Sequence, residues 1–252
     1  MNINKRSADP LYYQIAELIQ ERIQTGEWQP GTRLPSERKL SEQLQVSRMT
    51  VRQAVAYLVR EGALTVKPGV GTSVARPKLT YDAMHLIGFT ENMMQQGEIP
   101  ASHVLDQQIV IPPRQIFKEL SLAPLDTTTK ILRLRLAGEI PLLLETIFIP
   151  TALCPDLVNA QLENESLYRV LEEQYGLQPT QARQTLESTI ADEFEAQLFD
   201  TEVGRPMLLL KGITYHKEDR PVEYFKAICR GDRYKFAFES HRNGVKIKAI
   251  VR

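Results

Sequence analysis

The most constraining feature of the 252-residue chain is the stretch 34–60, LPSERKLSEQLQVSRMTVRQAVAYLVR. Its second half places Val51, Ala54, Val55, Leu58 and Val59 at i, i+3, i+4, i+7 and i+8. That spacing is the apolar stripe of a helix laid on a core. Arg48, Arg52 and Gln53 fall on the other side. One turn separates the two arginines, so both guanidinium groups leave the same face. Ser47 is placed to cap this helix, and the free N–H groups of its first turn favour an anion. A helix that is dry behind and doubly cationic in front suits a DNA major groove.

The neighbouring segments complete a small domain. A short helix capped by Ser36 carries Glu37, Arg38 and Lys39 in its first turns and turns Leu40, Leu44 and Val46 inward. Upstream, Asp9-Pro10 opens a helix with Asp9 as its expected cap; Ile15, Leu18, Ile19 and Ile23 mark its buried side, and Gly26 ends it. Trp28 then reads as a packing anchor. Downstream, Gly62 stops the arginine-bearing helix. Leu64 and Val66 alternate with polar neighbours, Pro68-Gly69 makes a turn, and residues 72–75 return as a second strand. The hairpin is a wing, and Lys67 and Gly69 at its tip are placed to reach a phosphate or a minor-groove edge.

Charge supports a nucleic-acid partner for this half. Residues 1–78 hold 12 Lys+Arg against 7 Asp+Glu, while the remainder holds 19 against 24, although the whole chain is formally neutral. No apolar run approaches the ~20 residues that span a bilayer, and the first residues lack the apolar core of a secretory signal, so the expectation is a cytoplasmic protein without a membrane partner. Cys154 and Cys229 have no CxxC context, and His85, His103, His216 and His241 lack ligand spacing. Neither a metal site nor a disulfide framework is expected, and no cofactor or nucleophile motif is seen.

Residues 76–80, RPKLT, read as a polar connection. Beyond it helices are expected at 89–97, 114–122, 166–175 and 192–199. Strands are expected at 102–111, 130–137, 142–149, 182–191, 207–216, 221–230 and 234–241, and consecutive hairpins imply a mostly antiparallel sheet with helices on it. Arg133 and Arg135 share one strand face, with Leu132, Leu134 and Leu136 on the other. A three-residue turn would bring Glu145 onto the arginine face. Phe89-Thr90 and Ser166-Leu167-Tyr168 each put a hydroxyl at a helix start. Together these groups would make a phosphate site if they converge.

Residues 9–76 resemble the winged helix-turn-helix of the GntR family of bacterial transcription regulators, in the pattern LPSER…VSRMTVRQA…L…GT. The resemblance implies that Arg38, Arg48 and Arg52 touch DNA, with Ser36, Ser47, Thr50 and the wing at Lys67 and Gly69 assisting. Residues 79–241 resemble the UTRA ligand-sensing domain of the HutC subfamily, whose fold is similar to chorismate lyase. The motifs are GFTENM, RLRLA…LETIFIP, SLYRVLEEQYG and RPVEYFKAICRGDRYKF. Members with this FT, RxR and SxY pattern sense sugar phosphates, amino-sugar phosphates especially. Carried over, Thr90, Arg133, Arg135, Ser166 and Tyr168 hold the phosphate, and Phe89, Glu145 and Glu223 meet the sugar. The turn AGEIP is a residue shorter than the usual form, and Cys229 stands where amino-sugar sensors tend to carry an aromatic.

The expected architecture is therefore α+β: a DNA-binding winged helix-turn-helix over 1–76, a linker over 77–81, and a chorismate-lyase-like effector and dimerisation domain over 82–252. The expected protein is a homodimeric repressor of carbohydrate uptake and catabolism genes, on a palindromic operator, controlled by a phosphorylated metabolite. Two alternatives stand beside it. One is a regulator answering to a non-phosphorylated carboxylate. The other is a chorismate-lyase-like enzyme using Glu145 and Glu223 as acid and base.

Overall fold

Ser36 and Ser47 each start a helix with their own side chain. In the computed structural model, which describes residues 3–5, 7–67, 69–81 and 86–236, α1 spans Leu11–Gln24, α2 Glu37–Leu44 and α3 Arg48–Arg60. The Ser36 hydroxyl accepts from Lys39 N at 3.3 Å and the Ser47 hydroxyl from Thr50 N at 3.1 Å, satisfying first-turn donors that would otherwise be orphaned. Gln45 takes the left-handed conformation that closes the turn between α2 and α3. Asp9 does not cap α1. Pro10 stands at that position with no side-chain cap, and the Asp9 carboxylate instead accepts from Ser7 Oγ.

One apolar cluster unites these helices. Ile15, Ala16 and Ile19 meet Leu40, Val51, Ala54, Val55 and Leu58, with Leu64 and Val74 of the hairpin beneath, and Trp28, Leu44 and Val46 partly buried around it. The hairpin pairs β1 (Leu64–Lys67) with β2 (Gly71–Val74). Residues 32–34 extend it through Leu34 N to Thr72 O and Val74 N to Thr32 O, both 2.9 Å. Two expected core positions are exposed: Val59 at 38% and Val66 at 53%. Val59 lies at the rim of the α3 stripe, and Val66, on the same strand face as the buried Leu64, stands two residues nearer the hairpin tip, past the end of the core. Gly69 is in the expected turn with φ +72°; Pro68 lies outside the described residues.

This is one of two compact units, Met1–Lys78; the other is Leu79–Arg252. The second unit is built on a six-stranded sheet whose neighbours are all antiparallel, in the order β4-β5-β6-β9-β8-β7. In chain order the elements are β3 (Leu79–Tyr81), α4 (Phe89–Gln95), β4 (Pro100–Val110), α5 (Arg114–Glu119), β5 (Thr128–Ala137) and β6 (Ile140–Pro150). Then follow α6 (Leu167–Tyr175), β7 (Gln181–Ile190), α7 (Glu193–Leu198), β8 (Pro206–His216), β9 (Arg220–Arg230) and β10 (Tyr234–Phe236). Residues 79–81, read from the sequence as connection, form β3. That strand pairs in parallel with β10 rather than β10 joining the main sheet. The remainder of the expected last strand, the tail 244–252, and His85 and His241 lie outside the described residues.

The sheet has two different faces. Leu134, Leu136, Leu144 and Ile228 pack against Ala196 and Phe199 of the α7 segment. On the opposite face Ile131, Ile147 and Ile149 pack under Leu167, Val170 and Leu171 of α6. The β5–β6 turn is two residues long, Gly138 and Glu139, not three. Its register slips at Leu142, so that Arg135 faces Leu143 and Arg133 faces Glu145. Without that bulge a two-residue turn would put Leu144 opposite Arg133 and send Glu145 to the other face, because a one-residue slip inverts side-chain parity.

Candidate functional site

The outward face of α3 in the first unit carries Arg48 and Arg52, both exposed. Arg52 Nη2 lies 3.1 Å from Glu37 Oε2, with Nε at 3.2 Å; the carboxylate raises the Arg52 pKa, chiefly through that hydrogen bond. Arg38 pairs with Glu42 one turn on, at 2.9 Å. Both pairs face solvent, where screening leaves an ion pair little net stabilisation. Ser36, Ser47 and Thr50 are occupied in capping, with Ser47 and Thr50 hydroxyls 2.8 Å apart. Lys67 and Gly69 are exposed on the wing. Arg33 went unassigned in the sequence; its guanidinium lies over Gly71, 3.1 Å from where a Cβ would stand, and adds a cation beside the wing.

In the second unit a cavity of about 300 Å³ opens on the α6 side of the sheet, at the small end of the size range of ligand pockets. Phe89, Arg133, Arg135, Glu145, Ser166, Tyr168 and Glu223 all line it. Thr90, the remaining expected residue, touches it through Arg135, whose Nη2 donates to Thr90 Oγ1 at 2.9 Å. The Arg135 guanidinium also lies over the Phe89 ring, 4.4 Å from its centre. Alternation on β5 puts both arginines on one face, but α4 and α6 close over them, so they are 3% and 2% exposed.

Two like charges buried side by side need an anion. Glu145 supplies one: its Oε1 is 2.6 Å from Arg133 Nη2 and 3.7 Å from Arg135 Nη1. It does not saturate them. Arg133 Nε, Arg135 Nε and Arg135 Nη1 have no hydrogen-bond partner among the described residues. Burial pulls Arg135 down to about 10, against the opposing pull of Glu145 and helped by the charge of Arg133, which leaves it cationic at neutral pH. Ser166 caps α6, accepting from Arg169 N, and donates to Glu91 Oε1 at 2.8 Å.

A second polar cluster is built around Glu223. Thr214 Oγ1 donates to Glu223 Oε2 at 2.6 Å, and Tyr168 donates to the same oxygen at 3.0 Å. Burial is the largest influence on Glu223 and raises it to about 7; the charge of Glu145 adds to the rise, while the two hydroxyls and Arg133 oppose it. Burial likewise pushes Tyr168 well above the usual phenol range. Leu143, Ile147, Leu210 and Phe225 give the wall its apolar part, along with Cys229, whose thiol burial holds at about 12. Both cysteines are free and buried. Glu91 and Thr214 are the polar partners that sequence reading left without roles. Glu91 adjoined Phe89-Thr90, and Thr214 stands opposite Glu223 in the β8–β9 register.

Residues 11–74 match the family described as bacterial regulatory proteins, gntR family, and residues 95–235 match the UTRA domain. The HTH-type transcriptional repressor NagR of Bacillus subtilis is 39% identical over 94% of this chain and 97% of its own length. The mannosyl-D-glycerate transport/metabolism system repressor MngR of Escherichia coli is 32% identical over 92% of this chain and 97% of its own. Among solved structures, PhnF from Mycobacterium smegmatis superposes with a TM-score of 0.66 at 24% identity, covering 92% of this chain and 99% of that one; it shares the fold. Among the described residues no helix is long and apolar enough to cross a membrane.

Proposed function

Since the chain belongs to the GntR family of bacterial regulatory proteins and carries a UTRA domain behind its helix-turn-helix, we propose that it is a homodimeric repressor whose grip on a palindromic operator is set by a sugar phosphate, an amino-sugar phosphate foremost, and that it controls carbohydrate uptake and catabolism genes. Family membership places it among transcriptional regulators and not enzymes.

The observation that carries the effector reading is the pair of buried arginines, of which Arg133 Nε, Arg135 Nε and Arg135 Nη1 have no hydrogen-bond partner among the described residues. A phosphoryl group brings up to two charges and three acceptor oxygens, more than a carboxylate offers. The Ser166 hydroxyl and the first-turn N–H groups of α6 add donors from a second direction. Thr90 and Tyr168 complete the phosphate set, Phe89, Glu145 and Glu223 face the sugar, and a protonated Glu223 can donate to its hydroxyl or amino groups as well as accept.

On the DNA side, α3 enters the major groove of one half-site, Arg48 and Arg52 read it, Arg38 holds the backbone, and the wing at Lys67 and Gly69 takes the flank. Effector and operator communicate because they favour different conformations, so each weakens the other by the same factor. Support for a route comes from α4. Gln96 at its end bonds both ways with Thr80 of β3, at 2.8 and 3.0 Å, and with Asn92 at 2.9 Å. A shift of α4 at the cavity is therefore delivered to the strand that follows Lys78.

Thermal-shift titration of the full chain with amino-hexose 6-phosphates and their dephosphorylated counterparts tests this. The phosphorylated forms should stabilise the protein by ~2.7 kcal/mol at a hundredfold excess over Kd. Equal stabilisation by the dephosphorylated sugars would remove the phosphate from the account.

A further inference from the structure

Glu91 occupies an unusual place. It stands on α4, yet its Oε1 accepts the hydroxyl proton of Ser166, the cap of α6 and one wall of the cavity, at 2.8 Å. Its other oxygen, Oε2, is buried with no hydrogen-bond partner among the described residues. That oxygen comes so close to Gly88 that a Cβ there would lie 2.4 Å from it, so a side chain at position 88 would push the carboxylate out of this place. The negative charge of Glu91 reaches Arg135, favouring its charged form. A half-satisfied carboxylate thus sits at the α6 N-terminus, bonded to Ser166 of the cavity wall that Arg133 and Arg135 also line.

We propose that Glu91 is an internal competitor that holds the anion subsite when effector is absent, and that the phosphoryl group binds by displacing it. This rests on the phosphate reading of the cavity. A carboxylate with one oxygen satisfied holds the place weakly. An incoming phosphoryl group brings more acceptors to Ser166, the α6 N–H groups and Arg135, and so wins the exchange. Specificity follows: a ligand carrying a single weakly accepting anion gains little over the carboxylate already present, so Glu91 selects for a dianionic group. The displaced carboxylate then leaves the α6 N-terminus with α4 attached, which turns occupancy of the cavity into movement of a helix. The apparent affinity is the intrinsic affinity reduced by the fraction of molecules whose subsite is open.

The test is calorimetric titration of the full chain with inorganic phosphate, at fixed ionic strength, for wild type, Glu91→Gln, Glu91→Ala and Arg135→Ala. Circular dichroism establishes that each variant is folded. Glu91→Gln keeps the shape and the acceptor for Ser166, so it decides the matter if Glu91→Ala is unfolded. Both Glu91 variants should bind phosphate about tenfold more tightly than wild type, the gain expected if the open subsite is a tenth populated, and Arg135→Ala should lose binding. Unchanged or weaker binding by Glu91→Gln, with binding still lost in Arg135→Ala, overturns the competitor and leaves the phosphate subsite standing. Absence of binding to inorganic phosphate and to hexose 6-phosphates in wild type and Glu91→Gln alike overturns both.

Discussion

Replacing Glu223 by Gln should make the protein progressively more stable than wild type as pH rises. Glu223 is 3% exposed, and burial lifts its pKa from an ordinary 4.5 to about 7. Between those values the folded state keeps a proton that the unfolded chain has released, so this group's contribution to stability falls as pH increases through that window. From the size of the gap, the loss is roughly 1 kcal/mol at pH 5 and about 3 kcal/mol at pH 8, so about 2 kcal/mol disappears across that interval. Gln reproduces the neutral acid and still accepts from Tyr168 and Thr214, while having nothing to ionise. The measurement is urea denaturation of both proteins at several pH values. It is followed by far-UV circular dichroism, because the only tryptophan, Trp28, packs in the first unit. With a slope near ~2 kcal/mol per molar urea, the midpoints should separate by about 1 M more at pH 8 than at pH 5. A difference that stays constant, or shrinks with pH, would refute the claim that a buried, protonated carboxyl sits there.

Other consequences can be checked alongside. Arg52→Ala should weaken operator binding by ~1–3 kcal/mol, read by fluorescence anisotropy, and leave the urea midpoint nearly unchanged, since its exposed pair with Glu37 contributes little. Ser47→Ala should cost about 1 kcal/mol of stability in the first unit through loss of the α3 cap, seen as a lower midpoint by Trp28 fluorescence. Arg133→Ala strands Glu145 in a buried site with only the 3.7 Å contact to Arg135, and should lower stability by about 3 kcal/mol while abolishing the phosphate-dependent thermal shift. Gln96→Ala should leave sugar-phosphate affinity within about twofold but shrink the effect of the effector on operator binding, because the α4–β3 clamp is cut; undiminished coupling, measured by anisotropy with and without effector, would put the route elsewhere.

Local chemistry in the sequence announced much of this structure. Ser36 and Ser47 are followed by helical apolar spacing, and both are caps. The alternation in KILRLRLA separated the two arginines from the leucines, and the structure keeps that separation. What failed to show depends on partners distant in the chain. The burial of Arg133 and Arg135 requires α4 and α6 to close over one sheet face, and alternation within a strand does not reveal what covers it. The bulge at Leu142 compensates a turn shorter than expected, and register of this kind is set by both strands together. The pairing of β3 with β10 joins residues over 150 positions apart. Glu91 was visible beside Phe89-Thr90, but an acidic residue in a helix's first turn ordinarily serves the helix itself. Only the folded contact with Ser166 gives it another role. Asp9 misled for a related reason: Ser7 engages its carboxylate before the helix does.

The most direct measurement is operator affinity of the full chain, on DNA the protein itself selects from a random library, titrated with an amino-hexose 6-phosphate in wild type and Arg135→Ala. Wild type should change its operator affinity by at least ~5-fold on saturation, the low end of an ordinary allosteric coupling, while Arg135→Ala binds the same DNA equally well and does not respond. An Arg135→Ala protein that still answers fully to the sugar phosphate would contradict the claim that a buried guanidinium pair reads the effector.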